Sequence, residues 1–302
     1  MAENKTFDVI IIGGSYAGLS CAMALGRSLR NVLIIDSGKP CNLPTPHSHN
    51  FLTQDGKTPR EISSIARQQV EAYSTITFHD GLAVSGIQNE FGFEITTDSN
   101  NTYTGKKLVF ATGIRDMIPD IPGFAACWGI SIIHCPYCHG YEYRNKNTAI
   151  LAVGHKAYHL ASLVRNLTER VTVLTNGEVD LTHDQTENLA RNNIQIIDTS
   201  VAEFEHNHGH VTHVIFHDGT KMSFDAVYAA IPFVQHSDIP ESLGCDINEH
   251  GYIKIDHFHK TNIDGVFACG DNSNMMRSVA NAVYAGNFTG ALVNAELVND
   301  VF

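Results

Sequence analysis

Residues 7–18 read FDVIIIGGSYAG, and this stretch decides the fold. Its apolar run ends in a glycine-rich turn, and apolar side chains recur at helical spacing over the following residues, 19–28. The order of strand, tight turn and helix is typical of a βαβ unit that binds a dinucleotide, whose pyrophosphate lies at the helix amino terminus. Ser15 stands where the usual pattern has its second glycine, so the backbone approach there tolerates only a small side chain.

The next apolar run supports this interpretation. Residues 32–35 are followed by Asp36, 18 residues after Gly18. In dinucleotide-binding units a carboxylate at about this separation in the sequence binds the ribose of the adenosine. The sequence therefore predicts an ADP-binding site. Its candidate residues are Gly13, Gly14, Ser15, Ala17, Gly18 and Asp36.

A vicinal pair of cysteines lies in the middle of the chain, in the tetrad Cys135-Pro136-Tyr137-Cys138. Two thiols at this spacing can close a small disulfide, and at the start of a helix the dipole lowers the thiol pKa and favours the nucleophilic thiolate. A zinc site is the alternative because His134 and His139 flank the pair, although the five other cysteines stand alone.

Two further apolar runs complete a set of motifs, since one ends in Ala111-Thr112-Gly113 and the other in Gly270-Asp271. With the first turn and the dithiol, they make the chain resemble the FAD-dependent pyridine nucleotide-disulfide oxidoreductases over essentially its whole length, specifically the low-molecular-weight thioredoxin reductase group. The resemblance implies FAD as cofactor, with Asp271 at its ribityl and pyrophosphate region. It also implies that Cys138 faces the flavin and Cys135 the external substrate.

The same resemblance points to two more segments of the flavin site. Residues 47–52 fall where family members line the flavin with a loop, which makes His49 and Asn50 candidates, and an exposed turn is the alternative. Arg277, Ser278 and Val279 begin the last predicted helix, whose amino-terminal amides would stabilise negative charge on a reduced flavin. Arg277 is alternatively a surface residue.

A second nucleotide pattern follows the dithiol, but its chemistry departs from the family. A strand over 148–153 leads through Gly154-His155-Lys156-Ala157 into a helical run, yet Gly154 is the only glycine of the turn. Thioredoxin reductases place arginines after the next strand to hold the 2′-phosphate of NADPH, whereas residues 175–180 read TNGEVD. NADPH or NADH therefore stays open as an electron donor.

The residue after the second cysteine leaves the direction of electron flow open. Classical thioredoxin reductases have an aspartate there, while this chain has His139, whose ordinary pKa suits general acid–base work at neutral pH. This arrangement and residues 270–279 also resemble the fungal dithiol oxidases that form the disulfide of gliotoxin-type compounds, in which a dithiol reduces the enzyme and oxygen reoxidises it. A reductase fed by a protein donor such as ferredoxin is a further alternative, and a flavin redox sensor is the non-enzymatic one.

The motif order predicts an α/β protein with two Rossmann-like three-layer domains. Proline and glycine breaks place a discontinuous FAD domain at 1–115 and 239–302, with a dithiol-bearing, NAD(P)H-binding-like domain at 116–238 inserted into it. The expected partner is a thioredoxin-like protein or a small-molecule disulfide or dithiol. The family resemblance implies a homodimer.

The composition and the remaining sequence patterns argue against several other functions. The net charge of −12 argues against nucleic acid, which demands a basic footprint, and no apolar stretch approaches a membrane span. Residues 1–5 lack the features of an export signal, so a cytoplasmic location is expected. Histidines at 206, 208, 210, 213 and 217 fall in a predicted antiparallel meander, and we expect them to be exposed hairpin residues rather than metal ligands.

Overall fold

The computed structural model describes residues 6–302, so the expectation drawn from residues 1–5 falls outside the described residues. The chain divides into two compact units. Unit 1 comprises the residues through Leu43, Phe51–Arg115 and Phe233–Phe302, and unit 2 comprises Pro44–Asn50 and Asp116–Pro232.

Strands and helices alternate along most of the chain, which confirms the predicted α/β class. The strands are β1 (Thr6–Ile12), β2 (Val32–Asp36), β3 (Ile76–Asp80), β4 (Ala83–Asn89), β5 (Gly92–Thr97), β6 (Thr102–Phe110), β7 (Ile114–Asp116), β8 (Ile132–Ile133), β9 (Thr148–Leu151), β10 (Val171–Leu174), β11 (Gln195–Ile197), β12 (Val201–Asn207), β13 (His210–Phe216), β14 (Lys221–Ser223), β15 (Ala226–Ala229), β16 (Phe233–Gln235) and β17 (Val266–Ala268). The helices are α1 (Tyr16–Arg27), α2 (Pro59–Glu71), α3 (Phe124–Cys127), α4 (Pro136–His139), α5 (Gly154–Arg165), α6 (His183–Arg191), α7 (Ile239–Ser242) and α8 (Val279–Asn299).

Unit 1 is built on a sheet with the strand order β3-β2-β1-β6-β5-β4, to which β17 adds beside β6. Strands β1, β2, β3, β6 and β17 pair in parallel, and β4 and β5 form an antiparallel extension. Alternate residues of β1 bury opposite faces, because Val9 and Ile11 belong to one core cluster and Ile10 and Ile12 to another. A strand buried on both faces explains the continuous apolar run at the start of the sequence.

The turn between β1 and α1 depends on glycine at two positions. Gly13 has φ +104°, and a Cβ there would overlap the carbonyl of Ala111. A Cβ on Gly18 would overlap the carbonyl of Gly13. The predicted turn thus brings strand, helix and the end of β6 together, which only a residue without a side chain allows.

Unit 2 carries a smaller parallel sheet with the order β11-β10-β9-β15-β8, and α5 follows β9. Strands β12, β13 and β14 form a separate antiparallel sheet, which confirms the predicted meander around the histidines. The two short strands β7 and β16 pair with each other where the chain crosses between the units. No helix within residues 6–302 combines the length and apolar character that crossing a membrane requires.

Candidate active site

A cavity of about 400 Å³ lies in unit 1 at the carboxyl ends of the parallel strands. Six predicted cofactor residues line it: Gly13, Gly14, Ser15, Asp36, Ala111 and Thr112. The amide of Gly14 donates to Oδ1 of Asp36 over 3.0 Å, so the turn and the second strand are joined at the cavity wall. Lys39 and Arg60 also line it, and sequence reasoning missed these two cations because no motif marks them.

The amino terminus of α1 at this cavity suits a phosphate. Ser15 is its N-cap residue, with extended backbone angles and no side-chain hydrogen bond to the first turn. The amides of a helix start that lacks such a cap are oriented to receive an anion. The glycine cradle, Asp36 and the two cations therefore fit the ADP portion of FAD.

Other predicted cofactor residues shape the surroundings. Ala17 lies on α1 against Gly270, where a Cβ on the glycine would stand 3.0 Å from the Cβ of Ala17. Gly18 packs on Gly13, as described above, and Gly113 continues the end of β6 with φ +64° in open space. These residues set the backbone path of the cavity.

Asp271 and Arg277 form an ion pair in unit 1, with the carboxylate oxygen 3.9 Å from the guanidinium Nε. Both side chains are largely shielded, at 16% and 15% exposure. Ser278 caps α8 by accepting from the amide of Asn281 at 3.1 Å, and Val279 begins the helix as predicted.

Sequence reasoning missed Asn272, which is fully buried beside Asp271. Its Nδ2 donates to the carbonyl of Phe110 over 2.9 Å and to Oγ1 of Thr112 over 3.2 Å. Asn272 thereby ties the Gly-Asp segment to the end of β6, which places Asp271 at the same sheet edge as the cavity. In the sequence, this role of Asn272 is indicated by its position directly after Gly270-Asp271.

The dithiol lies in unit 2, where Cys135 and Cys138 form a disulfide with their Cα atoms 5.3 Å apart. As predicted, the pair opens a helix, because Cys135 is the N-cap of α4 and Pro136 takes its first position. The amide of Cys138 donates to Sγ of Cys135 over 3.1 Å, which would stabilise negative charge on that sulfur after reduction. Within residues 6–302, no group of three or more histidine, cysteine or acidic side chains could hold a metal ion.

His139 differs from the sequence expectation of an ordinary imidazole. Burial first, and then the neighbouring charge of His49, lower the pKa of His139 to about 4. His139 is therefore neutral at pH 7, the form in which an imidazole can accept a proton.

Segment 44–50 belongs to unit 2. His49 Nε2 lies 3.7 Å from Oε1 of Glu142, and its ring centroid lies 6.3 Å from that of His139. Asn50 follows with φ +59°. The structure thus groups the two predicted flavin-loop residues with the unit that carries the dithiol.

An acidic residue from the segment after β10, Asp180, packs against the turn between β9 and α5. Gly154 has φ +59°, and a Cβ on it would lie 2.9 Å from the main-chain oxygen of Asp180 and 3.0 Å from its Oδ2. Asn176 does not face outward for a ribose, because its Oδ1 accepts from the amide of Val201 over 2.7 Å. The second nucleotide pattern thus has the predicted topology, while the segment after β10 packs against its phosphate turn.

A glycine cradle for ADP in one unit and a helix-capping disulfide in the other define a flavin-dependent disulfide oxidoreductase. The model of the pyridine nucleotide-disulphide oxidoreductase family matches residues 7–286, and the chain belongs to this family.

Individual relatives extend over the whole chain. The thioredoxin reductase tcpT of Claviceps purpurea is 32% identical, covering 100% of this chain and 97% of the relative. The thioredoxin reductase aclD of Aspergillus oryzae is 31% identical and covers 97% of both chains. The crystal structure of an oxidoreductase from Agrobacterium tumefaciens superposes with a TM-score of 0.91 at 36% identity, over 98% of this chain and 99% of that one.

These likenesses confirm the recognition, the fold and the enzyme class. The protein is an FAD-dependent thiol-disulfide oxidoreductase of the thioredoxin reductase-like group, with Cys135–Cys138 as its disulfide. FAD is the cofactor of the family, and NAD(P)H is the usual electron donor of its thioredoxin reductases.

Proposed function

We propose that this protein oxidises a small dithiol: the substrate reduces Cys135–Cys138, and the electrons leave through FAD to oxygen. The observation that carries the proposal is the position of Asp180 at the start of α5. A dinucleotide needs the amides of that turn for its pyrophosphate. A carboxylate at the same place fills the space and repels a phosphate.

The rest of the segment after β10 supports the same conclusion. Residues 175–182 contain Glu178 and Asp180 and no lysine or arginine, so a 2′-phosphate would find no cation there. Asn176 is engaged by Val201 and is not free to bind a ribose. With nicotinamide disfavoured at this site, a dithiol is the electron source that the remaining chemistry can use.

Two thiol–disulfide exchanges transfer the electrons from the substrate to the cysteine pair. A substrate thiol gives its proton to neutral His139, and the thiolate attacks Sγ of Cys135, so that the electron pair of the broken disulfide stays on Cys138. The second substrate sulfur then attacks the first, which releases Cys135, and the proton of that second thiol passes to Cys135. The substrate leaves as a disulfide and both electrons stay in the cysteine pair. FAD held by the cavity residues of unit 1 would, when bound, supply the oxidant for this electron pair, with oxygen as the final acceptor.

The direction can be tested with purified holoprotein under anaerobic conditions. We expect dithiothreitol to bleach the oxidised-flavin absorbance at least about 100-fold faster than equal NADPH or NADH. The variant Cys138→Ser should keep FAD and lose the reaction with dithiothreitol. With air admitted, wild type should form hydrogen peroxide as dithiol is consumed.

Fast bleaching by NADPH would overturn the proposal and make an NADPH-driven reductase the function, the direction that the name of the fungal relatives favours. If neither reagent bleaches the flavin, the result contradicts the proposal and favours a protein as the electron donor. The variant Asp180→Gly sharpens the test, because it should strengthen NADPH binding if the carboxylate is what excludes the nucleotide.

The proposal includes a cytoplasmic location and a homodimeric state. Four buried cysteines of the described residues are free thiols, as is usual in a reducing compartment: Cys21, Cys127, Cys245 and Cys269. Cell fractionation and sedimentation of the holoprotein test these two points.

A further inference from the structure

Two segments far apart in the sequence place three titratable side chains around the dithiol. His139 follows Cys138 directly, and Glu142 comes three residues later. His49 belongs to segment 44–50, about ninety residues earlier, and pairs with Glu142 at 3.7 Å. All of these residues belong to unit 2.

Close packing holds segment 44–50 in this position. A Cβ on Gly129 would lie 3.1 Å from Cβ of Pro44 and 3.3 Å from Oγ1 of Thr45, so the segment closes over this glycine. Ser48 is buried at 6% exposure. The imidazole of His49 is therefore held on one side of α4, with 22% of its side chain exposed.

We propose that Glu142 and His49 are positioning residues that keep His139 neutral, so that His139 is ready to accept the proton of a substrate thiol. This inference rests on the proposed dithiol oxidation. The physical reason is that two imidazolium ions with ring centroids 6.3 Å apart repel each other. The carboxylate of Glu142 lies 3.7 Å from His49 and holds this ring beside His139.

The charge state of the neighbours supports this division of roles. Burial, together with the charge of His49, brings the pKa of His139 to about 4. Burial raises the pKa of Tyr143 to about 12 and also raises that of Tyr228, so both stay uncharged near neutral pH. The ring of His47 lies 6.5 Å from that of His49 between centroids, and the charge of Asp225 acts on Tyr143.

The test is the pH dependence of anaerobic flavin reduction by dithiothreitol, measured from pH 4.5 to 8 and expressed as the ratio of variant to wild-type rate. The ratio removes the titration of the reagent's own thiols. In His49→Gln the pKa of His139 should move from about 4 towards its ordinary 6.5. At pH 5 a rise of one unit should lower the ratio about twofold and a rise of two units about tenfold, and the ratio should recover above pH 7.

Three further variants separate this role from a structural one. Glu142→Gln should show the same acid-side loss, because His49 is no longer held beside His139 by its carboxylate partner. His47→Gln, on the same segment, should give a flat ratio. In a His139→Ala background, replacing His49 should add no further pH dependence, since the residue through which it acts is gone.

A flat ratio for His49→Gln, with normal FAD content and melting temperature, would overturn the inference while dithiol oxidation stands. A uniform loss at every pH in His49→Gln would also overturn it, because that result indicates a purely structural contact. If wild type is bleached by NADPH and not by dithiothreitol, the proposed function itself fails.

Discussion

Gly18 shows how a single residue controls the cofactor site. It is the third glycine of the first turn, and a Cβ there would overlap the carbonyl of Gly13. We expect Gly18→Ala to displace the turn at a cost of ~1–3 kcal/mol and to lower the FAD content. Thermal melting and the ratio of flavin to protein absorbance measure both effects.

Gly26 offers a matched control on the same helix. A Cβ at this position would have side-chain atoms of Tyr73 and Ile76 at 3.1 Å as its nearest neighbours, a much smaller conflict than the main-chain oxygen 1.9 Å from a Cβ on Gly18. Alanine also favours a helix interior over glycine by about 1 kcal/mol. Gly26→Ala should keep its FAD and its stability, and an equal loss of FAD in both variants would contradict the role assigned to the turn.

At the scale of elements, a buried ion cluster fastens α8 to the sheet of unit 1. Lys107 on β6 pairs with Glu296 on α8 at 2.7 Å, and the two side chains are 9% and 12% exposed. Lys260 also pairs with Glu296, and Asp300 lies 2.9 Å from Lys107. Removing the central carboxylate leaves buried positive charge without its main partner.

We expect Glu296→Gln to destabilise the protein by about 3 kcal/mol. The surface pair Arg67–Glu71, at 36% and 49% exposure, is the control, and Glu71→Gln should cost less than about 1 kcal/mol. Chemical denaturation of the holoprotein measures both free energies of unfolding. Equal effects of the two substitutions would show that the α8 cluster does not stabilise the fold.

The same cluster predicts an acid dependence of stability. Burial of Glu296 acts to raise its pKa, but hydrogen bonds and charge from Lys107 and Lys260 outweigh burial and hold the pKa below its ordinary 4.5. A depressed carboxyl pKa stabilises the fold above the unfolded value, and this contribution is lost as pH falls through the folded value. The melting temperature of wild type should therefore drop more steeply below pH 4.5 than that of Glu296→Gln.

At the scale of the molecule, the two units offer separate probes of unfolding. The single tryptophan, Trp128, is 8% exposed in the core of unit 2, while the residues that line the cofactor cavity belong to unit 1. A ligand stabilises only what it binds, by about 2.7 kcal/mol at 100 times its dissociation constant. Added FAD should raise the transition seen by flavin release and leave the Trp128 transition in place. If both move together, the units unfold as one.

Much of the fold was predictable from local patterns. The continuous apolar run of β1, the glycine turn and the helical spacing of α1 predicted these elements because each pattern reflects contacts within a few residues. The parallel strand after the dithiol and the meander of β12 to β14 were predicted for the same reason. The helix that begins at Pro136 followed from the proline and the cysteine spacing alone.

Other features carried no local signal. The approach of His49 to His139 joins residues 90 positions apart, and the lowered pKa follows from burial that no motif reveals. The sequence division placed residues 1–115 in one domain, whereas contacts group Pro44–Asn50 with unit 2. Loop paths of this kind depend on packing against distant elements.

The amino-acid sequence by itself determined the family, the cofactor and the redox pair, because glycine positions, strand periodicity and vicinal cysteines act over short stretches of chain. Only the tertiary structure decided that Asp180 packs against the second phosphate turn and that the Glu142–His49 pair lies beside His139. The physical reason is that electrostatic environment depends on distance in space and on burial, and both arise only when remote segments pack together.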